Sequence, residues 1–346
     1  MSTPRQITII GGGLAGLTLG IALRQRGIPV ELWEAGRYPR HRVCGEFICG
    51  RGRDTLVALG LNELLSRTGA REAKTAAFST GKTSGPVRAL PEPALCLSRF
   101  ALDAALATEF RALGGELREG ERWNNSAALD GIVHASGRRP QTTPNGWRWF
   151  GLKAHARNVE LAADLEMHLA PDGYVGLCRL ANGVVNVCGL FRRRTSGDET
   201  VSRAERLRGT PGSLLRQRLA CAEFVAESVC AVGGLDLHPR HASDTDKCRV
   251  GDALTMIPPF TGNGMSMAFE SAELAIEPLE RWSRDEISWA EARECIASRC
   301  DESFRSRLTW ASRLHALMFI APLQPGLAAW LPRFTRPWEF LFSHTR

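Results

Sequence analysis

Residues 6–34 read QITIIGGGLAGLTLGIALRQRGIPVELWE, and the order of features within them decides the fold. Ile7, Ile9 and Ile10 make a β-branched run expected as a buried strand. Gly11, Gly12, Gly13, Leu14, Ala15 and Gly16 follow at once and satisfy G-x-G-x-x-G. Leu14, Leu17, Thr18, Ile21 and Ala22 then recur at helical spacing, Gly27 ends the helix, and Val30, Leu32 and Trp33 carry a second strand finishing at Glu34. In such a unit Gly11 serves the tight turn, Gly13 lets the backbone approach a pyrophosphate, and Gly16 lets helix and strand touch. The helix N-terminus offers unpaired N–H groups to phosphates, and Glu34 stands where a ribose hydroxyl donates a hydrogen bond. Strand, turn, helix, strand and terminal acid in this order point to a bound dinucleotide.

The remaining composition narrows the class. The 346 residues suffice for a sizeable core, and 44% hydrophobic with 23% charged residues is ordinary for a soluble globular chain. The net charge of +7 is carried almost wholly by Arg, with Lys only at 74, 82, 153 and 247. No basic helix with interleaved aromatics accompanies that charge, so nucleic acid is not an expected partner. The ten Cys form neither C-x-x-C pairs nor Cys/His clusters, so no metal is expected. The first strand starts within ten residues of Met1 and no run of eighteen apolar residues occurs, which leads us to expect a cytoplasmic protein with reduced thiols.

Further along, residues 36–46 form an Arg- and Gly-rich loop, and Asp54–Leu65 reads as a helix. Strands are expected over Ala73–Ser79 and Val87–Leu90, a helix over Leu102–Leu113 with Asp103 in its first turn, and a buried strand over 132–137. Residues 147–192 look antiparallel, with turns at Pro171-Asp172-Gly173 and Ala181-Asn182-Gly183. Helices are expected over 199–208 and 212–227, a strand over 228–237, and a helical tail over 284–319. This predicts a mixed α/β fold with three parts. A discontinuous nucleotide-binding domain comprises 1–70, 96–140 and 247–283, an inserted antiparallel sheet comprises 71–95 and 141–246, and a C-terminal helical tail comprises 284–346.

A second anchor lies far down the chain. Gly251-Asp252-Ala253 leads to Ile257-Pro258-Pro259-Phe260-Thr261-Gly262-Asn263-Gly264-Met265, which opens a helix. Asp252 could bind the hydroxyls of a ribityl arm, and N–H groups near Gly262–Met265 could face a flavin edge where negative charge develops. NAD needs no such second site. With these motifs in place, the chain resembles the FAD-dependent oxidoreductases of the p-hydroxybenzoate hydroxylase fold, which include aromatic monooxygenases, geranylgeranyl reductases and flavin-dependent halogenases. The resemblance covers roughly residues 5–280 and rests on GGGLAG with Glu34, on RVCGEF at 42–47, on Ser98-Arg99 with Asp103, and on GDALTMIPPFTGNGM at 251–265. It implies an FAD site drawing on Gly11, Gly13, Leu14, Ala15, Gly16, Glu34, Ala35, Arg42, Cys44, Gly45, Arg99, Ser136, Gly137, Gly251, Asp252, Pro259, Gly262, Asn263, Gly264 and Met265, with NAD(P)H as a transient reductant.

The reaction type stays divided. Arg42-Val43-Cys44-Gly45 is similar to the Cys-Gly segment of the reductases, and Arg40, His41 and Arg42 would give Cys44 a positive setting. Ile257-Pro258-Pro259-Phe260 with Gly264-Met265 looks like the monooxygenase version of the distal motif. Ser136-Gly137 replaces the Asp-Gly pair of the hydroxylases. The halogenase W-x-W-x-I-P motif is absent, Trp147-Arg148-Trp149-Phe150 mimicking only its first half. The readings are therefore a monooxygenase acting on an apolar or aromatic metabolite, a reductase or dehydrogenase acting on C=C bonds, and an FAD-binding accessory protein without turnover. Cys44, Glu46, Lys153 and His155 are the candidate catalytic residues. Lys153 and His155, two apart on a strand, share a face and could orient a substrate oxygen or shuttle a proton, although such residues commonly face solvent. The tail, rich in apolar and aromatic residues from Leu314 to Phe342, could pack over the nucleotide domain or touch a membrane surface.

Overall fold

The computed structural model describes residues 3–124, 129–138, 146–194 and 202–320, together with 323, 324, 326, 333, 334, 338 and 339. β1 (Ile7–Ile10) leads through α1 (Leu14–Gln25) to β2 (Val30–Glu34). After β3 (Phe47–Ile48), α2 (Arg51–Ala58) and α3 (Asn62–Arg67) precede β4 (Arg71–Thr80), β5 (Thr83–Ser84) and β6 (Arg88–Cys96). Then come α4 (Arg99–Ala112), β7 (Glu116–Glu119), β8 (Ile132–His134), β9 (Trp147–Arg157), β10 (Leu165–Ala170), β11 (Gly173–Arg179) and β12 (Val185–Arg194). The chain continues with α5 (Arg203–Arg208), α6 (Leu214–Arg218), β13 (Glu223–Gly233), β14 (Cys248–Arg249), α7 (Gly264–Ser283) and α8 (Trp289–Met318).

Two sheets result. The first is parallel throughout, in the order β14-β8-β1-β2-β7, with Ile7 opposite Val30 and Ile9 opposite Leu32. α1 packs against α4 and α7. Its residues from Leu14 to Leu23 are buried all round, as a helix apolar on every side requires. The second sheet runs β13-β9-β12-β11-β10-β4-β6-β3 with β5 beside β4, and only the β4–β10 pairing is parallel. Its central strands β9, β11 and β12 are buried on both faces. Leu152, Ala154, Val175, Leu177 and Val187 pack with Leu207 and Leu215 of the small helices α5 and α6. Gly151, Lys153, His155, Tyr174, Gly176, Cys188 and Leu190 point the other way, as the pairings Lys153–Cys188, Gly151–Leu190 and Tyr174–Leu190 dictate. On the outer face Ser79 Oγ lies 2.6 Å from His168 Nδ1, and His168 Nε2 lies 2.9 Å from Glu166, tying β4 to β10.

Three local expectations are corrected. α4 begins at Arg99, because the Ser98 hydroxyl accepts from the Phe100 N–H (3.1 Å) and caps the helix there. Asp103 therefore sits past the first turn, where it meets Arg99 at i,i+4. The helix expected over 212–227 is confined to Leu214–Arg218, and the strand expected from 228 starts at Glu223. Pairing with β9, Glu223 opposite Arg157 and Val225 opposite His155, outweighs the local apolar spacing, and a bulge before Cys230 absorbs the irregularity. Of the helix expected over 199–208, the part before 202 lies outside the described residues, and α5 occupies the rest.

Candidate active site

One cavity of about 1040 Å³ opens at the carboxyl ends of β1, β2 and β8 and runs to the face of the larger sheet. That volume lies at the upper end of the roughly 300–1,000 Å³ span of small-molecule and cofactor pockets. At the first end Gly11 takes φ +112°, and a Cβ there would meet the Ala135 carbonyl oxygen at 2.4 Å. A Cβ on Gly16 would lie 2.0 Å from the Gly11 carbonyl oxygen, so Gly16 is a packing residue, and it does not line the cavity. A Cβ on Gly13 would meet nothing within 4 Å: it projects into open cavity, where a phosphate could approach. No side chain caps α1, so its first N–H groups remain available. Leu14 and Ala15 line the same end.

Glu34, buried at the end of β2, accepts from the Gly12 N–H (3.0 Å) and the Gly36 N–H (2.7 Å), and pairs with Arg40 (2.7 Å) and Arg42 (3.3 Å). It lines the cavity beside Ala35, Arg42, Ser136 and Gly137. From the other side come Gly251, Asp252, Pro259, Gly262, Gly264 and Met265. Gly262 adopts φ +68°, and a Cβ there would meet the Phe47 ring at 2.1 Å. Asn263, fully buried, lies behind this lining as the first residue before α7, whose N-terminus also lacks a side-chain cap. Burial raises the Asp252 carboxyl above its ordinary pKa, and the nearby charges of Arg138 and Arg99 offset this only in part. Arg138, which sequence reasoning left without a role, lines the cavity too; its signal was its place directly after Gly137.

Cys44, Gly45 and Arg99 form the wall between the two sheets. The positive setting expected from Arg40, His41 and Arg42 does not reach the thiol. Arg40 and Arg42 turn to Glu34, Arg42 also meets Asp103 (3.1 Å), and His41 approaches Lys153 (3.1 Å). Burial instead raises the Cys44 thiol above its ordinary pKa, and the Arg99 charge and the Glu46 N–H, 3.4 Å from its sulfur, recover only part of the shift. Cys44 is thus a neutral thiol at neutral pH.

Behind it, Glu46, Lys153 and His155 come together without lining the cavity. Lys153 is fully buried, not solvent-facing, with its ammonium 3.2 Å from Glu46 Oε1, and His155 Nε2 lies 2.6 Å from Glu46 Oε2. The Arg99 N–H also donates to Glu46 (2.9 Å). Burial alone would raise the Glu46 carboxyl, but the His155 hydrogen bond and the Lys153 charge hold it below its ordinary value. Glu46 has φ +59°, a backbone state costing a non-glycine residue about 1–2 kcal/mol, and these bonds keep it there. The Asn186 amide donates to the Cys44 carbonyl (2.9 Å), fixing the same turn. His41 stacks on Phe100 at 4.5 Å, and burial beside Lys153 and His155 holds its pKa down to about 4.

The far end of the cavity is apolar, lined by Phe78, Leu90, Met167, Leu190, Val232, Met256 and Phe260. The tail does not simply cover the nucleotide-binding layer. α8 packs on α7, but its end brings Met318 and Phe319 against Tyr174, Leu190, Leu235 and Met256. Trp338 packs edge-on to Phe78 (5.8 Å) and donates to the Ala89 carbonyl (3.0 Å). Arg192 lies over the Trp147 and Phe319 rings at 4.6 and 4.8 Å. Leu317, Ile320, Leu323 and Phe334 are exposed, whereas Trp330, Phe340 and Phe342 lie outside the described residues. Among the described residues no helix is long and apolar enough to cross a membrane, and no group of three side chains could hold a metal ion.

A family model described as an NAD(P)-binding Rossmann-like domain matches residues 9–47. No curated protein matches the sequence. Among solved structures, the flavin-dependent brominase Bmp2 superposes with a TM-score of 0.74 at 16% identity, over 97% of this chain and 92% of that one. A flavoprotein/dehydrogenase from Cytophaga hutchinsonii gives 0.71 at 17% identity, over 98% and 96%. The flavin-dependent halogenase CmlS gives 0.70 at 19% identity, over 98% and 68%. The fold is therefore that of the p-hydroxybenzoate hydroxylase type: a parallel Rossmann-like sheet, a second sheet across the cavity, and a helical C-terminal region.

Proposed function

We propose that the protein is an FAD-dependent oxidoreductase, and that it works as a monooxygenase on an apolar or aromatic small molecule, with NAD(P)H as transient reductant. The observation that carries this is a single cavity joining two uncapped helix N-termini, at Gly13 and Gly264, to an apolar chamber on the larger sheet. Gly13, Glu34 and the α1 N-terminus would hold the adenosine diphosphate half of FAD, and Asp252 its ribityl hydroxyls. The N-terminus of α7 favours negative charge on the flavin ring. When bound, FAD supplies the electron storage and O₂ chemistry that no side chain offers. The apolar walls around Phe78, Met167 and Met256 exclude water from the reacting end.

The test is incubation of FAD-loaded protein with NADPH and a panel of neutral aromatic compounds under ¹⁸O₂. A product carrying one ¹⁸O supports the reading. NADPH oxidation that yields only reduced oxygen, across the whole panel, counts against it.

One observation favours a reductase instead. Cys44 lines the cavity as a neutral thiol and could give a proton to a carbon centre as a C=C bond is reduced. Anaerobic saturation of a conjugated enone, lost in Cys44→Ala, would establish that reading over oxygen insertion.

A further inference from the structure

The cavity face of the larger sheet carries one glycine that the fold itself does not call for. Six strands each give one residue to the cross-strand row Phe78–Met167–Gly176–Cys188–Lys153–Cys230, in which every residue is the pairing partner of the next. All of them line the cavity except the fully buried Lys153. Gly176 stands in the middle of β11 and is partly exposed there. A glycine inside a central strand weakens it, having no side chain to pack and more backbone freedom to lose. The other interior glycines of β9 and β12 have a packing reason. A Cβ on Gly151 would press on Val43 (2.8 Å), and one on Gly189 would press on the Phe191 ring (2.5 Å). Gly176 has no such reason. The atom nearest to a Cβ there is the Cys188 carbonyl oxygen at 3.7 Å, an ordinary contact distance, and its φ lies outside the left-handed region.

Glycine within a strand that answers to no packing contact leaves room for a close approach to the backbone. What surrounds Gly176 says what approaches. On one side Met167 brings its methyl carbon to 3.8 Å from the place of the missing Cβ, and on the other stands Cys188. Burial pushes the Cys188 thiol well above its ordinary pKa, so it is uncharged. The result is a notch floored by flat peptide backbone and flanked by a thioether and a thiol, with Phe78 beyond Met167 in the same row. Sulfur side chains make favourable contacts with aromatic rings, and a flat ring lies closer to a sheet than a puckered one. We propose that Gly176 is the specificity-determining residue of the substrate chamber, its notch receiving a planar aromatic ring laid against the β11 backbone. Met167 and Phe78 belong to the apolar end of the cavity, remote from the dinucleotide-binding glycines, which assigns the ring to the substrate and not to the cofactor. This inference rests on the reading of the cavity as a joint FAD and substrate site, and it narrows the substrate from an apolar molecule to one with a flat aromatic face.

The experiment is calorimetric titration of FAD-loaded wild type, Gly176→Ala and Gly176→Val with 2-naphthol and with decahydro-2-naphthol, which share a hydroxyl and differ in flatness. The wild type should bind 2-naphthol about threefold or more tightly than its saturated analogue. Gly176→Val fills the notch and should weaken 2-naphthol about tenfold or more, with Gly176→Ala moving the same way by less. Both variants should bind FAD as the wild type does. Gly176→Ala should melt no lower than the wild type, because the fold has room for the methyl group and the strand gains by it. A wild type without preference for the flat probe, or 2-naphthol affinity unchanged in Gly176→Val, overturns the proposal. So does a lower melting temperature of Gly176→Ala, which would make the glycine structural, or weakened FAD binding in the variants, which would place the flavin on the notch. Failure of the flavoprotein reading is separate, since it shows as absence of bound FAD before any probe is added.

Discussion

Neutralising Glu46 tests the buried charge cluster behind Cys44. In Glu46→Gln the carboxylate is lost while the side-chain volume stays, so the 3.2 Å contact to Lys153 no longer joins opposite charges. Lys153 is fully buried, and its other close polar neighbour is His41 at 3.1 Å, which is neutral near pH 7 because its pKa lies at about 4. Removing one partner of such a pair typically costs about 3–5 kcal/mol, because the remaining ion is left desolvated. For a chain this long, at about 2 °C per kcal/mol, the thermal midpoint should fall by roughly 6–10 °C. Lys153→Met should cost less, since Glu46 keeps His155 (2.6 Å) and the Arg99 N–H (2.9 Å). The double variant Glu46→Gln/Lys153→Met removes both charges, and the two substitutions should be non-additive by about 2 kcal/mol or more. Urea denaturation of the four proteins, followed by tryptophan fluorescence, measures the cycle. A loss under about 1 kcal/mol in Glu46→Gln, or strict additivity, would refute the idea that the Cys44–Glu46 turn is held by an ion pair.

Gly13→Ala should weaken FAD binding about tenfold or more with an unchanged melting temperature, whereas Gly11→Ala, forced against the Ala135 carbonyl at φ +112°, should destabilise the fold itself; calorimetric titration and thermal melts separate the two. His315 has a folded pKa of about 4, below its ordinary 6.5, so between those values the unfolded chain takes up a proton that the native state refuses. Stability should therefore decline as pH falls from about 6.5 to about 4, by up to roughly 3 kcal/mol from this residue, and His315→Leu should flatten that part of a denaturation-versus-pH curve. His41 contributes in the same direction and window and remains in the variant. Cys44 should react with iodoacetamide more slowly at pH 8 than a free thiol does, as read by peptide mass; faster labelling would mean that Arg99, not burial, governs it.

How much of this was legible in the sequence depended on whether the constraint was local. The Gly11–Gly16 turn and Glu34 were readable because a turn conformation, a close approach and a strand end are written in adjacent residues. Gly251-Asp252 and the Gly262–Met265 helix start were readable for the same reason, and their meeting across the cavity followed only from the resemblance. Lys153 and His155 were correctly set on one face by their spacing, but their partner, Glu46, lies 107 and 109 positions away, and no pattern could show a buried acid between them. The strand from Glu223 was misread because Phe224 and Val225 suit either a helix or an edge strand, and pairing with β9 decides. His315 carries no motif, and its burial shows only in the fold.

The central claim is that Gly13 and Asp252 grip two ends of one ligand, and reconstitution with FAD tests it most directly. Calorimetric titration with FAD and with NAD⁺ should be run on the wild type, Gly13→Glu, Glu34→Ala and Asp252→Ala. The expected result is one FAD per wild-type chain, with affinity lowered by each of the three substitutions. Tight binding of NAD⁺ in place of FAD, sensitive to Gly13 and Glu34 but indifferent to Asp252, would contradict the flavin site and leave only a nicotinamide dinucleotide fold.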